Sequence, residues 1–403
     1  MSEAYLFEGL KVLDVGTWIA GPVAGTILAD YGAEVIKVEM PLVGDQYRLL
    51  SGLPGTPDAD VNYCWEMDAR NKKSITLNLK SQEGMQILHR LIADCDVYIT
   101  NHPLPMRRAL NLNYTNIKDL NPAMIYASLT AYGEEGPEKD REGFDLVAYW
   151  AKTGLMDLVR ESDMPPAPAL PGMGDHPSAV ALYAGIVTAL LKRERTGEGS
   201  MVSTSLLANG LWSLSCIAQA GFAGGSFERY RQLRATPSFA RSLYETRDHR
   251  WLQITMIRTH EELEVFLQLI SLGHLLEDER FATPEARMEN SGALVAQIKT
   301  VIKVRHSGEW LQLFESHGLN ITRVGTVEEI IHDDQVRVND MVVEPQDTDM
   351  KMPWVINHPV RVDSLAQVGP KKAPDLGQHT DEVLQSLGYE AATIAQLRAK
   401  GIV

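Results

Sequence analysis

The sequence has few cysteines and no long apolar run. The three cysteines, Cys64, Cys95 and Cys216, lie far apart and form no CxxC pair, so neither a disulfide framework nor a thiolate metal site is indicated. No stretch reaches the roughly 18 uncharged apolar residues that a membrane helix needs. The N-terminal segment carries Glu3 and Glu8 and lacks a basic region before an apolar run, so no signal peptide is predicted. We therefore expect a cytoplasmic protein with no membrane partner.

Basic residues are also in short supply. The chain of 403 residues holds 38 Lys and Arg against 53 Asp and Glu, which gives a formal net charge of −15. Such a protein repels polyanions on average, so we expect no nucleic-acid partner. A local basic pocket for a phosphorylated small molecule stays compatible with this charge. The composition, with 44% hydrophobic and 23% charged residues, is typical of a globular protein with two or three cores.

Several catalytic motifs are missing. The 11 histidines form no HExxH pair and none lies beside a cysteine cluster, so we expect no catalytic metal. No G-x-S-x-G motif is present that would carry a serine nucleophile. These absences leave carboxylate chemistry as the main candidate.

What is present is an alternation of strands and helices through the first third of the chain. Strands are predicted at residues 11–15, 35–38, 75–79, 97–100 and 124–129, and helices at 22–30 and 83–94, and beyond this region a long, mostly buried helix is predicted at 177–194. This pattern is typical of a parallel sheet with helices on its faces, the doubly wound α/β fold. Farther along, a hairpin at 242–245 and 251–256 precedes a helix at 261–270, which predicts a smaller α+β domain at 228–330. Helices at 381–387 and 391–399 end the chain.

Three glycines follow the first predicted strand. Gly16, Gly21 and Gly25, with Glu39 at the end of the second strand, are compatible with a nucleotide site, because such loops bring a phosphate to a helix N-terminus. Their spacing is not G-x-G-x-x-G. A plain tight turn is the better interpretation.

Two acids lie in turn-rich segments. Asp175 stands directly before a predicted helix, within the segment PGMGDHP. A helix N-terminus stabilises an ionised carboxylate, and small neighbours leave room for a substrate carbonyl, so Asp175 is a candidate carboxylate nucleophile. The simpler alternative is that Asp175 only caps the helix. Asp145 follows Gly143 and Phe144 and is also interpreted more simply as a cap.

Basic residues cluster near two of the predicted strand ends. Most such residues are merely solvated, and only their shared location suggests a phosphate pocket. They are Lys72, Lys73, Lys80, Arg107 and Arg108.

A series of short motifs, in order along the chain, resembles the class III CoA-transferases of the CaiB/BaiF type. The matching segments are residues 9–14 (GLKVLD), 20–22 (AGP), 32–39 (GAEVIKVE) with Gly44, Asp45 and Arg48, 71–80 (NKKSITLNLK), 120–122 (LNP), 133–137 (GEEGP), 174–175 (GD), 195–199 (RTGEG) and 377–381 (GQHTD). Each motif alone is weak, but their joint order is specific and spans nearly the whole chain.

This resemblance implies an enzyme that moves coenzyme A between two carboxylic acids through mixed anhydrides and an aspartyl-CoA thioester. CoA and acyl-CoA are then substrates, and no tightly bound cofactor is expected. Asp175 matches the family's catalytic aspartate, and Asp145 matches an acidic residue near it. The positions that match CoA contacts are Leu77, Lys80, Asn101 and His102. Ala109 stands where the family often has an arginine, so the phosphate contact is either taken over by Arg107 or Arg108 or is missing.

The resemblance also implies an architecture. A large Rossmann-like, CoA-binding domain is expected from both chain ends, residues 1–210 and 350–403, around the smaller domain. Two chains are expected to interlock as a homodimer.

Two alternatives bear on the function, and the identity of the acceptor is a further question. Related α-methylacyl-CoA racemases use a histidine at the position of Phe144, and a phenyl ring cannot transfer a proton, so racemisation is disfavoured. The chain is also compatible with a non-catalytic CoA-binding or nucleotide-binding subunit. For the acceptor, the segments around 133–140 and 171–176 most resemble enzymes for 2-hydroxy acids such as phenyllactate and 2-hydroxyisocaproate. Carnitine and other medium-sized carboxylates stay open.

Overall fold

The structure, a computed structural model, describes residues 5–161 and 164–403. They form two compact units. The larger unit takes residues up to Arg160, then 165–218 and 337–403, and the smaller unit consists mainly of 219–336. Each unit has its own hydrophobic core.

The larger unit is built on a six-stranded sheet in which every pairing is parallel. Its order is β3-β2-β1-β4-β5-β6. The strands are β1 Lys11–Asp14, β2 Glu34–Glu39, β3 Lys73–Thr76, β4 Val97–Thr100, β5 Ile125–Thr130 and β6 Ser200–Ser205. The doubly wound α/β fold predicted from the sequence is confirmed for this sheet.

The α-helices follow one another along the whole chain. Their bounds are α1 Ala20–Asp30, α2 Tyr63–Asp68, α3 Gln82–Asp94, α4 Leu104–Ala109, α5 Tyr114–Ile117, α6 Leu155–Leu158, α7 Asp175–Thr196, α8 Leu206–Ser213, α9 Ser215–Phe222, α10 Glu228–Ala235, α11 His260–Leu269, α12 Pro284–Glu289, α13 Ser291–Ile302, α14 Ser307–Glu315, α15 Val327–Ile330, α16 Asp334–Val338, α17 Thr380–Ser386 and α18 Ala391–Ala399. A π-helix at Leu146–Ala151 and 3-10 turns at Gln46–Gly52, Lys118–Leu120, Gly273–Leu276 and Thr348–Met350 complete the helical segments.

Helices cover both faces of the large sheet. On one face α1 and α7 pack against β1, β4 and β5 through buried residues that include Ile27 and Leu182. On the other face α3, α17 and α18 pack through residues that include Leu88 and Leu384. This is the two-sided burial that a parallel sheet requires.

The smaller unit contains an antiparallel sheet of order β7-β8-β9, formed by Leu243–Glu245, Trp251–Gln253 and Thr322–Arg323. The predicted hairpin and the helix after it are present. Helix α11 begins at a capping box in which Thr259 and Glu262 satisfy each other's backbone N–H groups, the arrangement that fixes a helix start. A further short ladder, β10 Val342–Val343 with β11 Val355–Ile356, belongs to the larger unit.

Two strand predictions are corrected. The strand predicted at 75–79 instead pairs over Lys73–Thr76, because its partner β2 ends at Glu39, opposite Thr76. Strand β6, Ser200–Ser205, carries no apolar run and was not predicted, although it pairs with β5 along its whole length. The helix predicted at 177–194 is confirmed and is longer, from Asp175 to Thr196. Its C-cap is Gly197, whose φ of 73° suits a glycine at that position.

Candidate active site

The strand order reverses its direction between β1 and β4. Crevices at such switch points, beyond the carboxyl ends of the strands, are where open α/β sheets bind ligands. A cavity of about 1110 Å³ lies there, within the larger unit. The loops after β1 and β4 line it, together with side chains that include Asp175, Trp18, Phe144, Leu77, Lys80 and His102.

Asp175 is the first residue of α7 and lines this cavity. The N-cap of α7 is Gly174, so Asp175 does not cap the helix. None of the hydrogen bonds found among residues 5–161 and 164–403 involves its carboxylate. Burial first, and the charge of Asp145 second, raise the pKa of Asp175 to about 7, while the charge of His176 opposes them. Among the described residues, the Asp175 carboxylate is therefore without a hydrogen-bond partner, and it lies at the wall of a large cavity.

Asp145 is buried and has a structural part in this arrangement. One carboxylate oxygen accepts the backbone N–H of Leu146 at 2.8 Å, which caps the π-helix. The other accepts the backbone N–H of Gly174 at 2.9 Å. Both oxygens are thus occupied by backbone donors, and Asp145 holds the turn that precedes Asp175.

The four residues predicted to contact CoA, Leu77, Lys80, Asn101 and His102, all line the cavity. Asn101 also holds the loop after β1, because its amide accepts the N–H of Thr17 at 2.8 Å and donates to the Thr17 carbonyl at 2.6 Å. His102 is buried, and desolvation lowers its pKa to about 4, so it is a neutral imidazole. Its Nδ1 has no hydrogen-bond partner in the part of the chain that the structure describes.

The two predicted arginines are placed differently. Arg107 is buried and hydrogen-bonds Tyr126 at 3.3 Å and Glu134 at 2.9 Å. Arg108 forms a surface ion pair with Asp140 at 2.8 Å. Neither lines the cavity, whereas Ala109 does. The structure therefore groups Lys80, and not these arginines, with the site.

The loop after β1 is held by a buried network of charges. Lys37 pairs with Asp45 at 2.8 Å and donates to the Gly16 carbonyl, and Lys72 pairs with Asp14 at 3.0 Å. Asp45 in turn accepts the backbone N–H of Trp18 at 3.0 Å, where φ is +62°. The network fixes a strained backbone conformation and so sets the position of the Trp18 ring.

That ring lies edge-on against Phe144, with centroids 5.4 Å apart. Phe144 is 59% exposed, which is unusual for a phenyl ring and places an aromatic surface at the wall of the cavity. The two rings make this part of the cavity apolar.

Sequence reasoning missed three residues close to Asp175. Tyr47, Asp68 and His176 form a hydrogen-bonded chain: the Tyr47 hydroxyl donates to one Asp68 oxygen, and His176 Nε2 lies 3.2 Å from the other. They lie far apart in the sequence. The segment GDHP indicated Asp175 as a candidate, but nothing in the sequence pattern indicated that His176 contacts Asp68.

Neither a metal site nor a membrane-spanning helix is found in the described part of the chain. In the described ranges, no group of three or more His, Cys, Asp or Glu side chains is arranged to hold a metal ion. No described helix is long and apolar enough to cross a membrane.

Comparison with known proteins identifies the family. Residues 7–380 match the model for CoA-transferase family III, so the chain belongs to that family. It is 32% identical to an (R)-2-hydroxy-4-methylpentanoate CoA-transferase of Clostridioides difficile, over 99% of both chains. It is 30% identical to a cinnamoyl-CoA:phenyllactate CoA-transferase of Clostridium sporogenes, over 97% of this chain and 96% of that one.

A solved structure agrees with these relationships. The crystal structure of a CaiB/BaiF family protein from Brucella suis superposes with a TM-score of 0.83 at 28% sequence identity. The match covers 96% of this chain and 100% of that one. The protein is therefore an enzyme that transfers CoA to carboxylic acids, as the sequence motifs predicted, and CoA thioesters are its substrates. The alternative of a non-catalytic binding subunit is wrong.

Proposed function

We propose that Asp175 is the nucleophile through which this enzyme transfers CoA. The observation that carries the proposal is its carboxylate, which lines the cavity, accepts no hydrogen bond from the described residues and sits at the N-terminus of α7. A nucleophile needs lone pairs that are not already engaged. The backbone N–H groups of the first turn of α7 lie at the positive end of the helix dipole, which favours the ionised, reactive form.

The reaction proceeds by exchange of acyl groups. An Asp175 oxygen attacks the thioester carbonyl of the donor, the C–S bond breaks, and CoA leaves as a thiolate, which gives a mixed anhydride. The thiolate then attacks the aspartyl carbonyl of that anhydride, forms an aspartyl-CoA thioester and releases the donor acid as its carboxylate. The acceptor carboxylate repeats the two steps in reverse. No net proton is consumed, so the chemistry needs an ionised Asp175 and stabilisation of the transient oxyanions by N–H donors.

We infer that CoA lies along the side of the cavity formed by the end of β3 and the start of α3. Leu77, Lys80 and Ser81 line this side. Lys80 is the one lysine or arginine side chain among the cavity-lining residues in the described ranges. Because CoA carries phosphates and a lysine binds phosphate as a point charge, Lys80 is the residue we assign to the phosphate contact that neither Arg107 nor Arg108 is placed to make.

We infer that the acceptor is a 2-hydroxy acid with an apolar side chain. The Trp18 and Phe144 rings supply apolar surface, which suits such a chain. Glu142 also lines the cavity, and its negative charge disfavours a second carboxylate on the acceptor. Two relatives, named for 2-hydroxy-4-methylpentanoate and phenyllactate, support the same acceptor class.

The nucleophile is tested by mass spectrometry. The protein is mixed with a panel of acyl-CoA thioesters, then with hydroxylamine, and the intact mass and peptides are measured. Wild type is expected to gain a hydroxamate at Asp175 with at least one donor, and Asp175→Ala is expected to gain none while still binding CoA. Asp140→Ala, which removes an exposed carboxylate, is the control and should label like wild type. A modification at another residue, or none with any donor, contradicts the proposal.

We further propose that the enzyme is a homodimer. Leu191, Leu211 and Trp212 are apolar and exposed on α7 and α8, with Trp212 79% exposed, and large exposed apolar groups mark interaction surfaces. Light scattering after size exclusion should give twice the 44.7 kDa of one chain. A mass of one chain would contradict the proposal.

A further inference from the structure

His176 is the second residue of α7 and directly follows the proposed nucleophile. Its Nδ1 lies 3.0 Å from the carbonyl oxygen of Gly172, and its Nε2 lies 3.2 Å from an Asp68 carboxylate oxygen. A carbonyl oxygen only accepts, and so does an ionised carboxylate. Both ring nitrogens therefore act as donors, and an imidazole that donates from both carries a positive charge.

The Asp68 carboxylate, which contacts the His176 ring, has a second hydrogen-bond partner. Asp68 ends α2 and is 4% exposed, and its second oxygen accepts the hydroxyl of Tyr47, a residue 2% exposed. Although burial lowers the pKa of His176, the hydrogen bond and charge of Asp68 raise it to about 9. The imidazolium is thus fixed in place and charged through the neutral range.

The charges around Asp175 explain what such a cation would do. Besides burial, the groups that act on its carboxylate are Asp145, Asp68 and His176. The two acids oppose ionisation of a third carboxylate close by, and His176 favours it. The groups that act on His176 are Asp68, Asp175 and the Gly172 carbonyl, and Cys64 and Tyr47 lie beside Asp68.

We propose that the His176 imidazolium, held by Asp68 and Tyr47, is a positioning residue that keeps the Asp175 carboxylate ionised against the two neighbouring acids. It acts through Asp175, because His176 is not among the residues that line the cavity. The inference rests on the proposed role of Asp175 as nucleophile.

The test is the pH dependence of turnover in His176→Gln. Glutamine keeps a donor toward Asp68 and loses the charge. The acid limb of the kcat profile is expected to move up by about one pH unit or more, so that turnover falls about tenfold at acid pH and recovers at alkaline pH, with KM for the CoA thioester unchanged. His89→Gln, at a partly exposed position on α3, is the matched control and should leave the profile in place. Should the glutamine variant fail to fold, His176→Asn takes its place.

A second readout does not depend on turnover. In an NMR titration of histidine-labelled protein, the His176 ring is expected to stay charged at pH 8 in wild type and to titrate near its ordinary value, about 6.5, in Asp68→Asn. Equal losses of kcat at every pH, with an unmoved acid limb, would overturn the inference, as would a His176 ring that is neutral at pH 8. If wild type forms no adduct at Asp175, the proposed nucleophile fails instead, whatever the titration shows.

Discussion

The backbone N–H of Gly174 donates to the carboxylate of Asp145 at 2.9 Å across 29 residues of sequence. This bond ties the start of the π-helix to the turn that carries Asp175. The space at Gly174 is restricted as well, because an added Cβ would lie 2.7 Å from the Tyr149 ring and 3.0 Å from the Asp145 Cβ. The position of Asp175 is therefore set by its predecessor in the chain and by the buried carboxylate of Asp145.

Asp145→Asn removes the charge of this acid and keeps one of its two hydrogen bonds to the backbone. Asparagine still offers one acceptor to the backbone, but its negative charge is gone, and that charge raises the pKa of Asp175. The acid limb of the kcat profile is therefore expected to move to lower pH, opposite to the shift expected for His176→Gln. The measurement is kcat against pH with one donor and one acceptor. An upward shift would show that Asp145 acts on Asp175 in some other way.

Removal of the Asp175 carboxylate should stabilise the fold. The pKa of Asp175 is raised from 3.8 to about 7 on folding, so its folding contribution is favourable below the unfolded value and is lost as pH rises through about 7. Ionisation in the buried site then costs about 2–4 kcal/mol at alkaline pH. Asp175→Asn is expected to unfold at higher urea concentration than wild type at pH 8 and at the same concentration near pH 4. Equal midpoints at both pH values would show that the carboxyl is not perturbed.

The adjacent residues Lys72 and Lys73 allow the contribution of the buried charge network to stability to be measured against a matched control. Lys72 is buried against Asp14, whereas Lys73 forms partly exposed pairs with Glu34 and Glu382. Lys72→Met removes the nearer of the two ammonium groups beside the buried Asp14, leaves Lys37 at 3.9 Å, and is expected to cost about 3–5 kcal/mol of unfolding free energy. Lys73→Met should cost less than about 1 kcal/mol. Chemical denaturation of both variants measures the difference, and similar costs would mean that the network contributes little.

Phe144→Ala tests the acceptor class. Loss of the ring removes the edge-on contact with Trp18 and apolar surface from the cavity wall. We expect kcat/KM for phenyllactate to fall about tenfold or more and kcat/KM for acetate to change little, because acetate has no side chain to bind there. A competition assay with both acids gives the ratio directly. Equal losses for the two acids would argue that the ring supports the site and does not select the acceptor.

Lys80→Ala tests the location of the CoA phosphates. Lys80 lines the cavity, while Arg108 forms its surface pair with Asp140 outside it. Affinity for CoA, measured by calorimetry, is expected to fall about tenfold for Lys80→Ala, since a charge-assisted contact contributes about 1.5–3 kcal/mol. The control Arg108→Ala should bind like wild type. A larger loss of CoA affinity in Arg108→Ala than in Lys80→Ala would assign the phosphate contact to Arg108.

Hydrophobic patterns predicted elements that bury apolar residues, either along a whole strand or on one side of a helix. β4, at Val97–Thr100, and α18, at Ala391–Ala399, were predicted with their observed bounds. The pattern failed at β6, an edge strand whose sequence SMVSTS alternates partly exposed and exposed residues, because an edge strand is half solvated and resembles a loop.

For the site, the sequence placed candidates but not their partners. The glycines and acid of the 171–177 segment indicated Asp175, since a tight turn before a helix has a local signature. The link from His176 to Asp68 spans 108 residues, and no local pattern encodes it. Likewise, Arg107 and Lys80 both carry a positive charge, and the sequence does not distinguish them. Only the folded structure shows that the Arg107 guanidinium hydrogen-bonds Glu134 and Tyr126.

The edge strand β3 obtains its outer cover from the far end of the chain. Gly377 N–H donates to the Ser74 hydroxyl, and the Thr380 hydroxyl accepts the Thr76 N–H, across 303 and 304 residues. A ribosome therefore makes about 300 further residues while this strand still shows an open edge, the kind that pairs with other chains. Until α17 emerges, the nascent large unit is expected to depend on chaperones, because the edge of its sheet is covered only after that helix is made.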